Sequence, residues 1–261
     1  MRETGWNAIE IRVADVTPEQ RKEPFSCWGN RRDDIGPSSI EEKIPGIRKA
    51  CANSGIPVCG LAPYINTTEP EKFEQMAKAA AALGARTIRI AAPWYREDSR
   101  HDDLFNAGRA GLRLIEPVAR RHGVVAAVEV HMGGICASPS AARRLVDSFD
   151  PKCIGVILDP GNMVYEGFEN WRMSCEILGP YLAHVHVKNA AWKLESDSPP
   201  APAVWKPGNA PLRSGFANFA EVMAALRSVE YNGFLSLEDF TPIPAREKLS
   251  SALSFLKSLK A

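Results

Sequence analysis

Val124-Val-Ala-Ala-Val-Glu-Val-His131 begins one residue after Gly123 and sets two ionisable side chains into an apolar run. Its length and β-branched content read as a strand. Alternation along a strand puts Val128 and Val130 on one face and Glu129 and His131 on the other. Six more runs of the same kind recur, at 8–13, 57–61, 87–92, 154–159, 183–188 and 234–238. Between them lie segments of helical period with start signals, such as Thr68-x-x-Glu71 ahead of Phe73, Met76, Ala80 and Leu83, and Ser138-Pro139 ahead of Leu145 and Val146. Gly84, Gly123 and Gly233 stand where three of these helices should stop.

Strands alternating with helices make an α/β protein with a parallel sheet, and the length favours a (β/α)8 TIM barrel over an open doubly wound sheet. No GxGxxG opens the first unit, which disfavours dinucleotide binding. The 261 residues, 45% of them hydrophobic, suit one large domain over 1–261. Seven strands are visible where a closed barrel needs eight. Residues 1–6 read as the tail of a helix ending at Gly5, so the first βα unit is expected to be missing; the alternative is that 17–37 completes the barrel.

Charge narrows the function classes. Thirty-two Lys and Arg balance 31 Asp and Glu, leaving no basic surplus for nucleic acid or an anionic membrane. Cysteines at 27, 51, 59, 136, 153 and 175 show no CxxC pair and are expected to be reduced thiols of a cytoplasmic protein. The apolar runs are too short to cross a bilayer, and no signal peptide is apparent. Residues 195–215 hold Pro199, Pro200, Pro202, Pro207 and Pro211. So many prolines argue against helix or central strand, and the segment is expected to be a long active-site loop that acts as a lid.

The chemistry lies at the strand ends. Glu129 and His131, Asp159, the trio His184, His186 and Lys188, and Glu238 all fall on inward phases of their strands. They approach the carboxyl-terminal face, where barrel enzymes keep their active sites. Three carboxylates and one imidazole crowded together need a cation. A single divalent metal (Mn2+, Mg2+, Co2+, Fe2+ or Zn2+) suits that donor set. Separate interior polar residues paired with Arg or Lys are the alternative. Glu10 and Arg89 also face inward and are expected to form a structural ion pair, in preference to a substrate phosphate site.

The set Gly5-Trp-Asn-Ala-Ile-Glu-Ile-Arg12, Val128-Glu-Val-His131, Leu158-Asp-Pro-Gly-Asn162, Ala183-His-Val-His-Val-Lys188 and Gly233-Phe-Leu-Ser-Leu-Glu238 resembles the xylose isomerase-like barrels, also called sugar phosphate isomerases/epimerases. The resemblance spans essentially the whole chain. It implies that Glu129, Asp159, His186 and Glu238 bind the metal. It also implies an isomerase or epimerase that moves a proton beside the carbonyl of a keto sugar or related polyol through an enediolate, with Glu129 and Glu238 as catalytic bases. Loss of a β-hydroxyl would instead make the site a lyase or dehydratase acting on a keto-cyclitol (inosose) or keto-glycoside. Where the family's ketohexose epimerases carry His, Glu and Arg, this chain has Asn162, Ile135 and Trp192.

His131, Asn162, Lys188, Trp94 and Trp192 are candidates for substrate contact, each with a plainer alternative: a carboxylate partner, a turn cap, a solvated strand end or packing. His184 is expected to be a core residue, and His101 and His122 surface groups. The expected partner is a small-molecule sugar or cyclitol, without nucleic acid or membrane, and self-association into a homo-oligomer is left open. The related endonuclease barrels need a histidine-rich multi-metal site, which five histidines do not readily supply.

Overall fold

The structure, a computed structural model, describes residues 2–26, 29–30 and 35–259. Parallel strands β1 (Ile9–Val13), β2 (Val58–Pro63), β3 (Thr87–Ala91), β4 (Val125–Glu129), β5 (Ile154–Leu158) and β6 (Leu182–Val187) follow one another in space as in sequence. An antiparallel ribbon of β7 (Asn189–Ser196) and β8 (Val204–Ala210) intervenes before β9 (Leu235–Leu237), which pairs in parallel with β6. The seven expected strands are thus all present, in a near-closed barrel sheet ordered β1-β2-β3-β4-β5-β6-β9. Helices α1 (Ile40–Ser54), α2 (Pro70–Leu83), α3 (His101–His122), α4 (Pro139–Val146), α5 (Pro160–Glu166), α6 (Trp171–Leu178), α7 (Phe219–Ser228) and α8 (Ala245–Ser258) connect the strands. Among the described residues no helix is long and apolar enough to cross a membrane.

Side chains bridge the seam between β1 and β9. Ser236 Oγ donates to Glu10 Oε2 at 2.5 Å, and Trp6 Nε1 donates to the Leu249 carbonyl on α8 at 3.0 Å. No eighth strand joins the sheet among the described residues. Those within 17–37 form a 3-10 turn (Gln20–Lys22) and an isolated bridge, Phe25 to Asn30. Residues 2–4 make a 3-10 turn that Gly5 ends with φ 84°. Cys27 lies outside the described residues; the other five cysteines are free thiols.

Three of the five helix ends expected from the sequence hold. Ser138 caps α4 by accepting from the Ala141 amide, and Gly84 and Gly123 take left-handed conformations after α2 and α3. Two expectations failed. Pro70, not Thr68, opens α2, because Glu69 turns back to accept from the Asn66 amide and Pro suits the first helical position. Gly233 does not end α7, which stops at Ser228 with Glu230 in the left-handed region. A side chain at 233 would strike the Tyr231 phenol, so glycine there serves a close approach.

The stretch 195–215 is also corrected. It is mostly a hairpin, with Pro207 inside β8 opposite Trp192. A two-stranded ribbon has only edge strands, where the missing N–H of proline is tolerated.

Candidate metal centre

Four side chains meet just beyond the strand ends. Glu129 ends β4, Asp159 follows β5, His186 sits inside β6 and Glu238 follows β9. One ligand atom from each lies within 4.8 Å of the others. His186 Nδ1 is 2.9 Å from Glu129 Oε1 and 3.7 Å from both Asp159 Oδ2 and Glu238 Oε1. Glu129, Asp159 and His186 are buried; Glu238 keeps 24% of its side-chain surface. Three oxygens and one nitrogen, carboxylate-rich and sealed on one side, can hold a divalent cation of the Mg2+ to Zn2+ series.

Basic groups surround the cluster. Arg89 Nε and Nη2 both lie 2.6 Å from Glu129 Oε2. Lys188 Nζ donates to Asp159 Oδ2 at 3.0 Å and to Glu238 Oε2 at 3.2 Å. Burial opposes ionisation of Glu129, yet Arg89 and His186 hold its carboxyl well below the usual carboxylate range. Burial likewise opposes the charge on Asp159, and Lys188 overrides it, keeping that carboxyl low. His186 is pushed down by burial but lifted more strongly by Glu238 and Glu10, so it stands well above an ordinary histidine. Removal from water opposes the Lys188 charge too, and Asp159 and Glu238 raise it regardless.

The turn after β5 explains how Asp159 is aimed. Asp159 Oδ1 accepts from the Asn162 amide at 2.8 Å, capping α5 and leaving Oδ2 for the cluster. At Gly161 a Cβ would lie 2.5 Å from Lys188 Cγ and 2.8 Å from its carbonyl carbon, so only glycine lets α5 approach β6 this closely.

Several expected roles change. Arg89 pairs with Glu129 and not with Glu10, because β3 borders β4 whereas β2 separates it from β1. Glu10 instead reaches across the seam to His184 and His186 Nε2, 3.4 and 3.2 Å away. Its carboxyl is penalised by burial but held well below the usual range by His186, then His184. Asn162 is buried and donates to the Val130 carbonyl at 3.1 Å and to Glu129 Oε1 at 3.4 Å, so it braces the cluster and does not line the adjoining cavity. Trp192 is turned away: its Nε1 donates to the Val164 carbonyl at 2.8 Å and its ring packs on the core. Lys188 is a buried ion-pair member, not a solvated strand end. His184 is buried as expected and His101 exposed. His122 is only half-buried, 3.0 Å from Glu74.

A cavity of about 430 Å³ reaches the cluster through Glu129 and Glu238. Trp94 and His131 line it, their rings edge to face at 5.1 Å, together with Lys188. Sequence reasoning missed Tyr64, Phe25 and Phe240 on its wall. Tyr64 lies under two guanidiniums, Arg12 at 5.0 Å and Arg89 at 5.3 Å from the ring centroid. The Ala62-Pro63-Tyr64 end of β2 is apolar throughout and carries no local mark of a site. No residue of the stretch 195–215 lines this cavity; the ribbon leans on α5.

The model of the family described as "Xylose isomerase-like TIM barrel" matches residues 1–259. A local match covers 136 residues of inosose dehydratase 2 from Bacillus cereus at 27% identity, 49% of this chain and 44% of that protein. The chain thus spans under half the length of the curated relative it matches. Among solved structures, 3-keto-D-glucoside 4-epimerase from E. coli superposes with TM-score 0.68 at 17% identity, over 96% of this chain and 100% of the other. A xylose isomerase-like barrel from Mycobacterium smegmatis, in complex with magnesium, gives 0.70 at 16% identity, over 100% and 87%. Identities this low show the fold alone. The family match over nearly all of its length makes this chain a member of the xylose isomerase-like TIM barrel family.

Proposed function

We propose that this protein is a divalent-metal-dependent isomerase or epimerase that moves a proton beside the carbonyl of a keto sugar or related polyol. The observation that carries this reading is the Glu129, Asp159, His186 and Glu238 cluster, two of whose carboxylates, Glu129 and Glu238, line a cavity, Glu238 being the more open to it. These four residues would hold the ion, Mn2+, Mg2+, Co2+, Fe2+ or Zn2+, whose Lewis acidity polarises a carbonyl and stabilises the charge of an enediolate. Glu238 takes the proton from the adjacent carbon. Glu129 serves as the second base when the proton returns on the opposite face, which is epimerisation; return by Glu238 to the neighbouring carbon is isomerisation. Lys188 Nζ, beside Glu238, offsets developing negative charge. Trp94 and Tyr64 offer ring faces to the apolar side of a sugar. His131 donates through Nδ1 to the Met132 carbonyl at 2.7 Å, which leaves Nε2 as an acceptor for a substrate hydroxyl. The ribbon of 195–215 acts as a lid only by moving from its seat on α5.

A second reading is loss of a β-hydroxyl from an inosose or keto-glycoside. The match to inosose dehydratase 2 favours it, as does a cation, Lys188, beside the carboxylate that would take the proton. Incubation with Mn2+ or Mg2+ and a panel of keto sugars, keto-glycosides and inososes in D2O, followed by NMR, separates the two. Deuterium entering without loss of water supports the first; an enone product supports the second. Neither exchange nor loss of water with any of them at saturating metal rejects both.

A further inference from the structure

The mechanism above uses one face of the His186 ring and leaves the other unexplained. Nδ1 points to the three carboxylates, and Nε2 lies 3.2 Å from Glu10 Oε2 on the barrel axis below them. His184 Nε2 is 3.4 Å from the same oxygen. Glu10 Oε1, His184 Nε2 and His186 Nε2 are sealed from solvent and make no hydrogen bond, the approaches of the two Nε2 atoms to Glu10 Oε2 being close but not aligned for one. Glu10, His184 and His186 also satisfy the spacing for a metal group of their own, one ligand atom each within 4.8 Å. Two occupants therefore compete for this place: a second cation or a proton.

Chemistry decides between them. A neutral imidazole has one lone pair and one N–H. Once Nδ1 faces a cation, Nε2 must carry the proton, and a second cation there would demand an imidazolate. Resting on the cation reading given above, we propose that Glu10 is a positioning residue for His186. With the ring turned to align Nε2 with Glu10 Oε2, 3.2 Å away, the carboxylate accepts the Nε2 proton, fixes the tautomer and so presents the Nδ1 lone pair to the ion. A carboxylate behind a metal-bound histidine raises the ligand's donor strength in the same way.

The surroundings are built for that role. Ser236 Oγ donates to Glu10 Oε2 at 2.5 Å across the seam. A Cβ at Gly60, the β2 neighbour of Glu10, would lie 2.8 Å from Thr87 Oγ1 and 3.3 Å from Glu10 Oε1, so glycine there leaves both side chains their space. His184 packs edge to face against His186 at 5.5 Å and closes the last side.

The test is Co2+ and Zn2+ binding to the full chain, by titration calorimetry and the visible Co2+ spectrum. Wild type should take one ion. Glu10→Gln should still take one, with affinity roughly 10–100-fold lower and a shifted Co2+ spectrum, and Glu10→Asp should recover part of both. Ser236→Ala, a milder change, should weaken binding less and covers the case in which Glu10→Gln fails to fold. Two-bond 1H–15N correlations of the five histidines in the Zn2+-loaded protein should show one imidazole protonated at Nε2 and ligated through Nδ1. Two equivalents of metal in wild type, lost in Glu10→Gln, would overturn the proposal in favour of a second cation. Unchanged affinity and spectrum in both Glu10 variants would overturn it outright while leaving the cation reading intact. No binding by wild type would reject that reading and this inference together.

Discussion

Arg89 is the residue on which the resting site depends most. Its guanidinium meets one oxygen of Glu129 through two nitrogens, both side chains being almost wholly removed from water. Removing one partner of such a pair strands the other charge, at about 3–5 kcal/mol. Arg89→Met should therefore cost about that much in urea unfolding of the metal-free protein, and added Mn2+ should restore part of it by giving Glu129 another cation. A loss that Mn2+ leaves unchanged would show that the ion does not contact Glu129. Catalysis should divide differently. Glu129→Gln and Glu238→Gln keep one ligand oxygen but lose basicity, so deuterium exchange into substrate at saturating metal should fall by about 10²–10⁴. If both retain wild-type exchange, another inward group carries the proton. The four clustered residues were legible because strand phase turns them inward and the family resemblance picks them out from the other inward groups. The partner of Arg89 was not, since it depends on which strands are neighbours. The roles of Asn162 and Trp192 stayed open in the sequence for a related reason: α5 packs over Val130 and under the β7 ribbon, a tertiary placement that no local pattern states.

At the scale of elements, the ribbon hangs from one side chain. Asn189 is buried, donates to the Leu212 and Ala217 carbonyls and accepts from the Ala190 and Ala217 amides. Gly215 leaves it space, because a Cβ there would overlap the Asn189 carboxamide. Asn189→Ala would strand several buried backbone groups, at a cost on the order of 3 kcal/mol. Hydrogen exchange should then quicken over 204–217 while the central strands stay protected; uniform quickening would mean that the ribbon and barrel open as one unit. A lid that closes on substrate should in turn lose protease sensitivity over 195–215 when a keto sugar binds. Each parallel strand could be read because it is a short apolar run between helical segments. The ribbon was hidden because proline frequency signals irregular chain, and only the absence of an outer neighbour makes Pro207 acceptable in a strand.

Across the whole molecule net charge is nearly zero, and the buried charges Arg89, Glu129, Asp159 and Lys188 lie at the barrel centre, where pH should act most strongly. Glu10 and Glu129 have carboxyls well below their unfolded values, so the stability they give is complete above about pH 4.3 and is lost as pH falls through their folded values. His186 runs the other way. Lifted well above an ordinary histidine, it contributes fully below about pH 6.5, and that contribution fades as pH rises through its folded value. The metal-free protein should therefore be most stable between about pH 4.3 and 6.5, with thermal midpoints falling on both sides. A divalent ion reverses the alkaline limb, because it needs the Nδ1 lone pair that the proton occupies. The gain in thermal midpoint on adding Mn2+ should grow from about pH 6 to about pH 8, and binding should release protons, seen as calorimetric heats that vary with the ionisation enthalpy of the buffer. A midpoint gain independent of pH, with no proton release, would mean that the ion binds away from His186.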